Sequence, residues 1–387
     1  MRALASRRVR DAVLLPAISL VCGFAVAAVA VVLSGANPID AFGALFQGAF
    51  TNRNALPETL VATIPYVFLG LAVAVGFRAG LFNIGAEGQF YLGAVFGVFV
   101  GFHLHGLPGV AHIPLAILAG MLGGFLWGAI PGILKARFGA HEVITTIMLN
   151  YVAYLLTDWL INNKGPLADV HASAPKTPYI DITAQIPILL TGTRLHVGLL
   201  LAIVAVPAVW FLLERTTVGF RIRVVGLNAT AARASGISVA GTLVLVMGIS
   251  GALSGLAGAD EILGVSHFMP ASFSIGYGFD AIAVALLARS NPWAIAPAAF
   301  LFGAMRSGAG FMQLETQVSS DLISIVQATV IIFVAAPLLV RWIFRLRETP
   351  SAPVSIAGAG GLAGGSPASA ASAASAAPTT SLEDTGT

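Results

Sequence analysis

The residues able to do chemistry in this sequence stand out because nearly everything around them is apolar. Asn83, Glu87 and Gln89 fall in Phe77-Arg-Ala-Gly-Leu-Phe-Asn-Ile-Gly-Ala-Glu-Gly-Gln-Phe-Tyr91, punctuated by Gly80, Gly85 and Gly88 with Gly93 just beyond. Asp280 falls in the run from Gly276 to Arg289, and Asn150 and Arg306 interrupt apolar stretches of their own. Amides, carboxylates and guanidinium groups are costly to leave in hydrocarbon, so they face a cavity or one another. Their chemistry is hydrogen bonding and charge pairing, with a polar solute or between helices. Glu87 and Asp280 have a second reading, as partners of Arg78 and Arg289 at helix ends, and Arg306 as a partner of Asp280. Bond-breaking chemistry is not indicated, because no His, Cys or carboxylate cluster has catalytic or metal-ligand spacing. His103, His105 and His112 flank a turn and read as loop residues. No G-x-x-x-x-G-K-[ST] phosphate loop occurs, and the only lysines are Lys135, Lys164 and Lys176.

The elements that must position these groups follow from composition. Of 387 residues, 57% are hydrophobic and 10% charged, against about 25% charged in a soluble domain, and mean hydropathy is +0.89. Lipid is therefore the solvent. The expected fold is an all-α polytopic bundle of about ten membrane elements, each of roughly 20 residues. Apolar runs cover Ala12–Leu33, Leu60–Gly76, Phe90–Leu104, Ile113–Leu134, Val143–Ile161, Leu195–Leu213, Val239–Ala257, Trp293–Phe311 and Leu322–Val340. The lone cysteine, Cys22, lies in the first run, which is read as an uncleaved helix because it exceeds the apolar core of a signal peptide. A broken stretch between Ile262 and Ala288 makes the tenth element. Its regular part, Gly278–Ala288, would be only about 16 Å long as a helix, so it is broken or re-entrant and needs protein around it.

Charge placement sets the orientation. With residues 1–11 as a basic cytoplasmic N-terminus, fifteen Lys and Arg fall in inner segments (Arg78, Lys135, Arg137, Arg215, Arg221 and Arg223 among them). Four fall outside: Arg53, Lys164, Lys176 and Arg194. By the positive-inside rule both termini are then cytoplasmic. The membrane-spanning core is residues 12–345, with an outer loop at 162–194, an inner loop at 214–236 and a low-complexity cytoplasmic tail at 346–387. Net charge is only +3, and the basic residues serve topology, so no nucleic-acid partner is expected. Gly120, Gly124, Gly128 and Gly132, Gly93, Gly97 and Gly101, and Gly251 and Gly255 recur every four residues, predicting close helix packing. In the inner loop Asn228 is an N-cap, Ala229–Ser235 favours helix and Gly236 is a stop, predicting a short helix outside the membrane.

Gly80-Leu-Phe-Asn-Ile-Gly-Ala-Glu-Gly-Gln89, Glu142-Val-Ile-Thr-Thr-Ile-Met-Leu-Asn-Tyr151, the Gly219–Gly236 loop and Phe279-Asp-Ala-Ile-Ala-Val-Ala285 together resemble permeases of ATP-binding-cassette (ABC) importers for simple sugars and nucleosides, the nucleoside type most closely. The resemblance covers about residues 10–345. It implies a bacterial inner-membrane subunit that pairs with a second permease or second copy, accepts solute from an extracytoplasmic binding protein, and binds no cofactor itself. ATP and Mg would be used by a partner ATPase, which receives the short inner helix as a coupling element. Gly226, Asn228, Ala231, Ala232, Arg233 and Gly236 are the coupling candidates that it implies. Asn83, Glu87, Gln89, Asn150, Asp280 and Arg306 are the pathway candidates. Asp260, Glu261 and Glu315 lie on the side offered to a binding protein. An ion-coupled carrier is the competing class, with only Asp280 and Arg306 as deep ionisable groups; a branched-chain amino acid is a further substrate alternative.

Overall fold

The computed structural model describes residues 21–316 except 34, 52, 163–164, 272 and 274–275, and also 325, 328, 329 and 332. The basic N-terminus, the Leu322–Val340 run as a whole and the tail lie outside the described residues. Helices dominate: α1 (Val21–Leu33), α2 (Pro38–Phe46), α3 (Ala55–Arg78), α4 (Ala86–His103), α5 (Gly109–Phe138), α6 (Glu142–Ile161) and α7 (Gly198–Arg215) come first. Then follow α8 (Thr217–Leu227), α9 (Ala229–Ala234), α10 (Val239–Glu261), α11 (Tyr277–Leu287) and α12 (Pro292–Thr316). Among the described residues there is no strand, only isolated bridges at Lys176–Pro270 and Ile188–His196.

Among the described residues five helical stretches are long and apolar enough to cross a membrane: α3, α5, α6, α7 and α10 extended to Ser266. The rest depart from the expected uniform spans for local reasons. At 18 residues α4 opens on the polar turn Ala86-Glu-Gly-Gln89, and the 25 residues of α12 carry Arg306. The apolar helix α11 is only 11 residues long, as the broken stretch predicted. Two helices were not anticipated. Asn37 accepts a hydrogen bond from Ile39 N and starts α2, and Thr216 accepts one from Gly219 N and starts α8, so the inner loop is helical almost throughout.

The centre of the bundle is α3, 83% buried over its most apolar window. Beside it α4, α5 and α10 meet on their glycine faces. A methyl group built on Gly124 would come 2.1 Å from the Gly251 carbonyl oxygen, and one on Gly93 would come 2.2 Å from Gly255 Cα. The backbones therefore touch where the four-residue glycine repeats predicted. α6 and α7 leave most of their apolar surface outward, as lipid-facing helices do.

The ends of the helices gather charges unequally. At one end Arg78 pairs with Glu214 at 3.3 Å and donates to the Ser290 carbonyl, Arg223 pairs with the same Glu214 at 2.6 Å, and Lys135 pairs with Glu142. At the other end the 165–197 segment folds over the bundle. Asp181 N donates to Gly101 O, Ile186 N to Leu263 O and Thr177 N to Met269 O, each within 3.0 Å. Arg194 grips Glu58 through two hydrogen bonds.

Candidate translocation site and docking helix

The break between α3 and α4 is built from its glycines and one amide. Gly80 takes a φ of +71°, turning the chain back into the bundle. Asn83 accepts from Gly85 N at 2.9 Å, while its amide group donates to Ser250 at 2.8 Å and Gln89 at 3.0 Å. Ser250 in turn donates to the Ala72 carbonyl of α3 at 2.7 Å. Asn83, Gln89 and Ser250 are fully buried, so this is an interior network joining three helices.

Two helix starts that open inside the protein are capped by side chains from elsewhere. Orphan N–H groups at such a start need acceptors. Asn150 of α6 accepts from Gly88 N of α4 at 2.8 Å and donates to the Ile84 carbonyl at 3.0 Å. Glu87 of α4 accepts from Gly278 N of α11 at 2.5 Å, where the positive end of the helix dipole adds to the attraction. Only glycine fits at 278, since a methyl group there would come 2.4 Å from Glu87 N. Asp280 accepts from the Tyr66 hydroxyl at 2.9 Å. The helix-end pairings of Glu87 with Arg78 and Asp280 with Arg289 therefore do not form: Arg78 is held by Glu214, and the two acids find a backbone amide and a phenol inside the bundle. Arg306 does not pair with Asp280 either; its guanidinium lies over Tyr277, 4.7 Å from the ring centroid.

Two cavities flank the start of α11. A cavity of about 450 Å³ is lined by Glu58, Arg194, Glu261, Tyr277, Arg306 and Ser307, with apolar neighbours from α3 and α12 and from Val265 just after α10. A second, of about 530 Å³, is lined by Glu87, Tyr91, Tyr154, Asp158, Gly276 and Phe279. Of the six pathway candidates, Arg306 and Glu87 line these cavities. Asn83, Gln89 and Asn150 belong to the interior network, and Asp280 is bound by Tyr66. Asp260 is not a surface group for a partner: it is 2% exposed, 3.9 Å from the buried His196. Sequence reasoning missed Tyr66, Tyr277, Ser250 and the inward role of Glu261. Tyr and Ser carry no penalty signal in an apolar run, and Glu261 reads as a helix-end charge.

At the charge-rich end the short α9 is formed as its residues predicted. The Asn228 side chain accepts from Thr230 N at 2.9 Å and Ala231 N at 3.0 Å, and Gly236 takes a φ of +79°. Ala232 is buried against Val225 and Val239, so it anchors α9, while Asn228, Ala231 and Arg233 face outward. Gly226 ties this unit to the core: a methyl group there would come 2.2 Å from the Arg78 carbonyl, and Gly80 lies against the same residue.

A bundle of apolar helices with two half-length or polar-started elements, polar cavities beside them and a capped helix at the charged end defines a polytopic membrane permease. Residues 56–335 match the family described as "Branched-chain amino acid transport system / permease component", and this chain belongs to it. It is 39% identical over 337 residues to the guanosine ABC transporter permease protein NupP of Bacillus subtilis, covering 85% of this chain and 95% of that protein. It is 35% identical over 338 residues to the nucleoside ABC transporter permease protein NupB of Lactococcus lactis, covering 85% and 92%. The glucose ABC transporter permease protein TsgB13 of Haloferax volcanii is also 35% identical, over 328 residues, covering 82% and 86%. No solved structure matches significantly.

Proposed function

We propose that this chain is the membrane permease subunit of an ABC importer in a bacterial inner membrane, and that its solute is a nucleoside. The observation that carries the reading is the 35–39% identity to guanosine and nucleoside permeases across most of both chains. The capped α9 beside the paired charges of Arg78, Glu214 and Arg223 supports a docking element for a cytoplasmic ATPase. ATP and Mg belong to that partner. A second permease chain or copy completes the pathway, and an extracytoplasmic binding protein delivers the solute.

The charge-rich end is the cytoplasmic end, with both termini inside and ten membrane elements in all. When the ATPase moves α9, the shift passes through Gly226 to the Arg78–Gly80 backbone and so to Asn83, whose hydrogen bonds reach α10 and the start of α4. The two cavities beside α11 are the parts of the pathway contributed by this chain. A simple sugar is the second reading, favoured by the likeness to the glucose permease.

Uptake of radiolabelled guanosine and glucose into vesicles tests both readings, with this chain present alone or with its ATPase, second permease and binding protein. Guanosine uptake that requires ATP and the partners supports the proposal. Uptake by this chain alone driven by an ion gradient overturns it.

A further inference from the structure

The first of the two cavities holds four charged side chains, and two of them are already joined to each other. Arg194 and Glu58 are joined through both guanidinium edges and both carboxylate oxygens. That pair is a closed unit and leaves Glu261 and Arg306. Among the described residues the Glu261 carboxylate forms no hydrogen bond or ion pair, although the opposing charges of Arg194 and Arg306 act on it. No carboxylate among the described residues reaches the Arg306 guanidinium within ion-pair distance; it lies over the Tyr277 ring and near the Tyr66 and Tyr277 hydroxyls, which leaves some of its five N–H donors over. Both groups line the same space of about 450 Å³, together with the polar hydroxyl of Ser307. An apolar membrane protein gains nothing in stability from holding an acceptor-only group and a donor-only group apart across a cavity. The arrangement suits a guest that presents donors to one and acceptors to the other.

The two charges cancel, so the site offers no net attraction to an anionic or cationic solute. It suits a neutral guest with a fixed polar edge. A carboxylate accepts from adjacent N–H groups, and a guanidinium donates to a carbonyl or ring nitrogen. Guanine, a 6-oxopurine, shows this pattern on two adjoining edges of one rigid ring system: N1–H and the 2-amino group donate, and beside them O6 and N7 accept. Sugar hydroxyls each donate and accept and would not need the charges separated. Tyr277 supplies an aromatic neighbour for a flat ring, and is itself held by Tyr66 at 5.2 Å and Phe90 at 5.9 Å between centroids.

We propose that Glu261 and Arg306 form a recognition pair for the base of a 6-oxopurine nucleoside, Glu261 accepting from its N–H edge and Arg306 donating to its oxygen and ring nitrogen. This rests on the nucleoside reading and adds a base preference to it. Glu261 sits at the end of α10, whose π-helical continuation Ile262–Ser266 re-aims the last turn, and Arg306 sits mid-way along α12. Movement of α10 against α12 would bring the pair together or apart and so grip or release the base.

The test uses the complete importer in proteoliposomes with saturating loaded binding protein, so that delivery is equal, and reads the ratio of guanosine to adenosine transport rates. Adenosine presents the opposite edge pattern at the same size. Wild type should favour guanosine, and Glu261→Gln and Arg306→Lys should each reduce the ratio about tenfold, as loss of a charge-assisted hydrogen bond does. The ratio does not depend on how much transporter inserts, so a poorly accumulating variant still reports, and Glu261→Asp gives a milder change that should fall between. A ratio near one in wild type, or one unchanged within about twofold in both variants, overturns the recognition pair while leaving nucleoside transport standing. No ATP-dependent uptake of either nucleoside overturns the nucleoside reading itself.

Discussion

Three glycines in helices test whether backbone contact holds the centre of the bundle. Replacing glycine with alanine raises helix propensity by about 1 kcal/mol wherever there is space, so the difference between sites reports packing. At Gly43 of α2 nothing lies within 4 Å of the new methyl group, and the gain should appear in full. At Gly97 of α4 the methyl meets Ala259 Cβ at 3.1 Å, and the small displacement it asks for roughly cancels the gain. At Gly124 of α5 it would lie 2.1 Å from the Gly251 carbonyl oxygen and 2.7 Å from Gly255 Cα, backbone atoms that cannot rotate away. Reaching ordinary contact requires α5 and α10 to part by about 1 Å, which forfeits a quarter to a half of the dispersion energy between facing atoms. Gly124→Ala should therefore cost roughly 2 to 3 kcal/mol net. The assay is the thermal unfolding midpoint of the detergent-purified protein, followed by a thiol-reactive or intrinsic fluorescence probe, for all three variants side by side. The expected order is Gly43→Ala above wild type, Gly97→Ala near it and Gly124→Ala clearly below. A Gly124→Ala midpoint at or above that of Gly43→Ala would refute the claim that these backbones are in contact.

Further outcomes follow from the borrowed caps and from α9. Glu87→Ala removes the acceptor of Gly278 N and should destabilise by about 1 to 3 kcal/mol, more than Glu87→Gln, which keeps an acceptor; equal unfolding midpoints would refute this. Asn228→Ala deletes both cap bonds of α9 and should cost about 1 kcal/mol locally, seen as faster amide exchange at Thr230 and Ala231. Ala231→Glu, on the exposed face of α9, should uncouple ATP hydrolysis from uptake without preventing insertion; unchanged uptake counts against docking there.

The fold was legible where periodicity and composition are strong. Apolar runs marked the cores of α3 to α7, α10 and α12, and Asn228 with Gly236 marked both ends of α9, because caps are chosen by local chemistry. The positions of α2 and α8 were not legible, since helices of 9 and 11 residues hold no long apolar run and start on single capping side chains. For the site, polarity in an apolar setting picked out Asn83, Glu87, Gln89, Asn150, Asp280 and Arg306. It did not say which of them bind one another. Asn150 and Glu87 reach backbone amides 62 and 191 residues away, and separations of that kind leave no trace in local pattern.

The borrowed caps have a consequence for the order in which this protein can be made. The start of α4 needs Asn150, which is synthesised some sixty positions later, and the start of α11 needs Glu87, which has by then been waiting since the third apolar run. A start of α4 exposed to hydrocarbon has no water to substitute. During biogenesis α4 must therefore linger near the translocation machinery with its first turn unfinished until α6 arrives. A chain stopped between residues 138 and 150 should stay associated with that machinery, whereas one extended past α6 should be released into the bilayer.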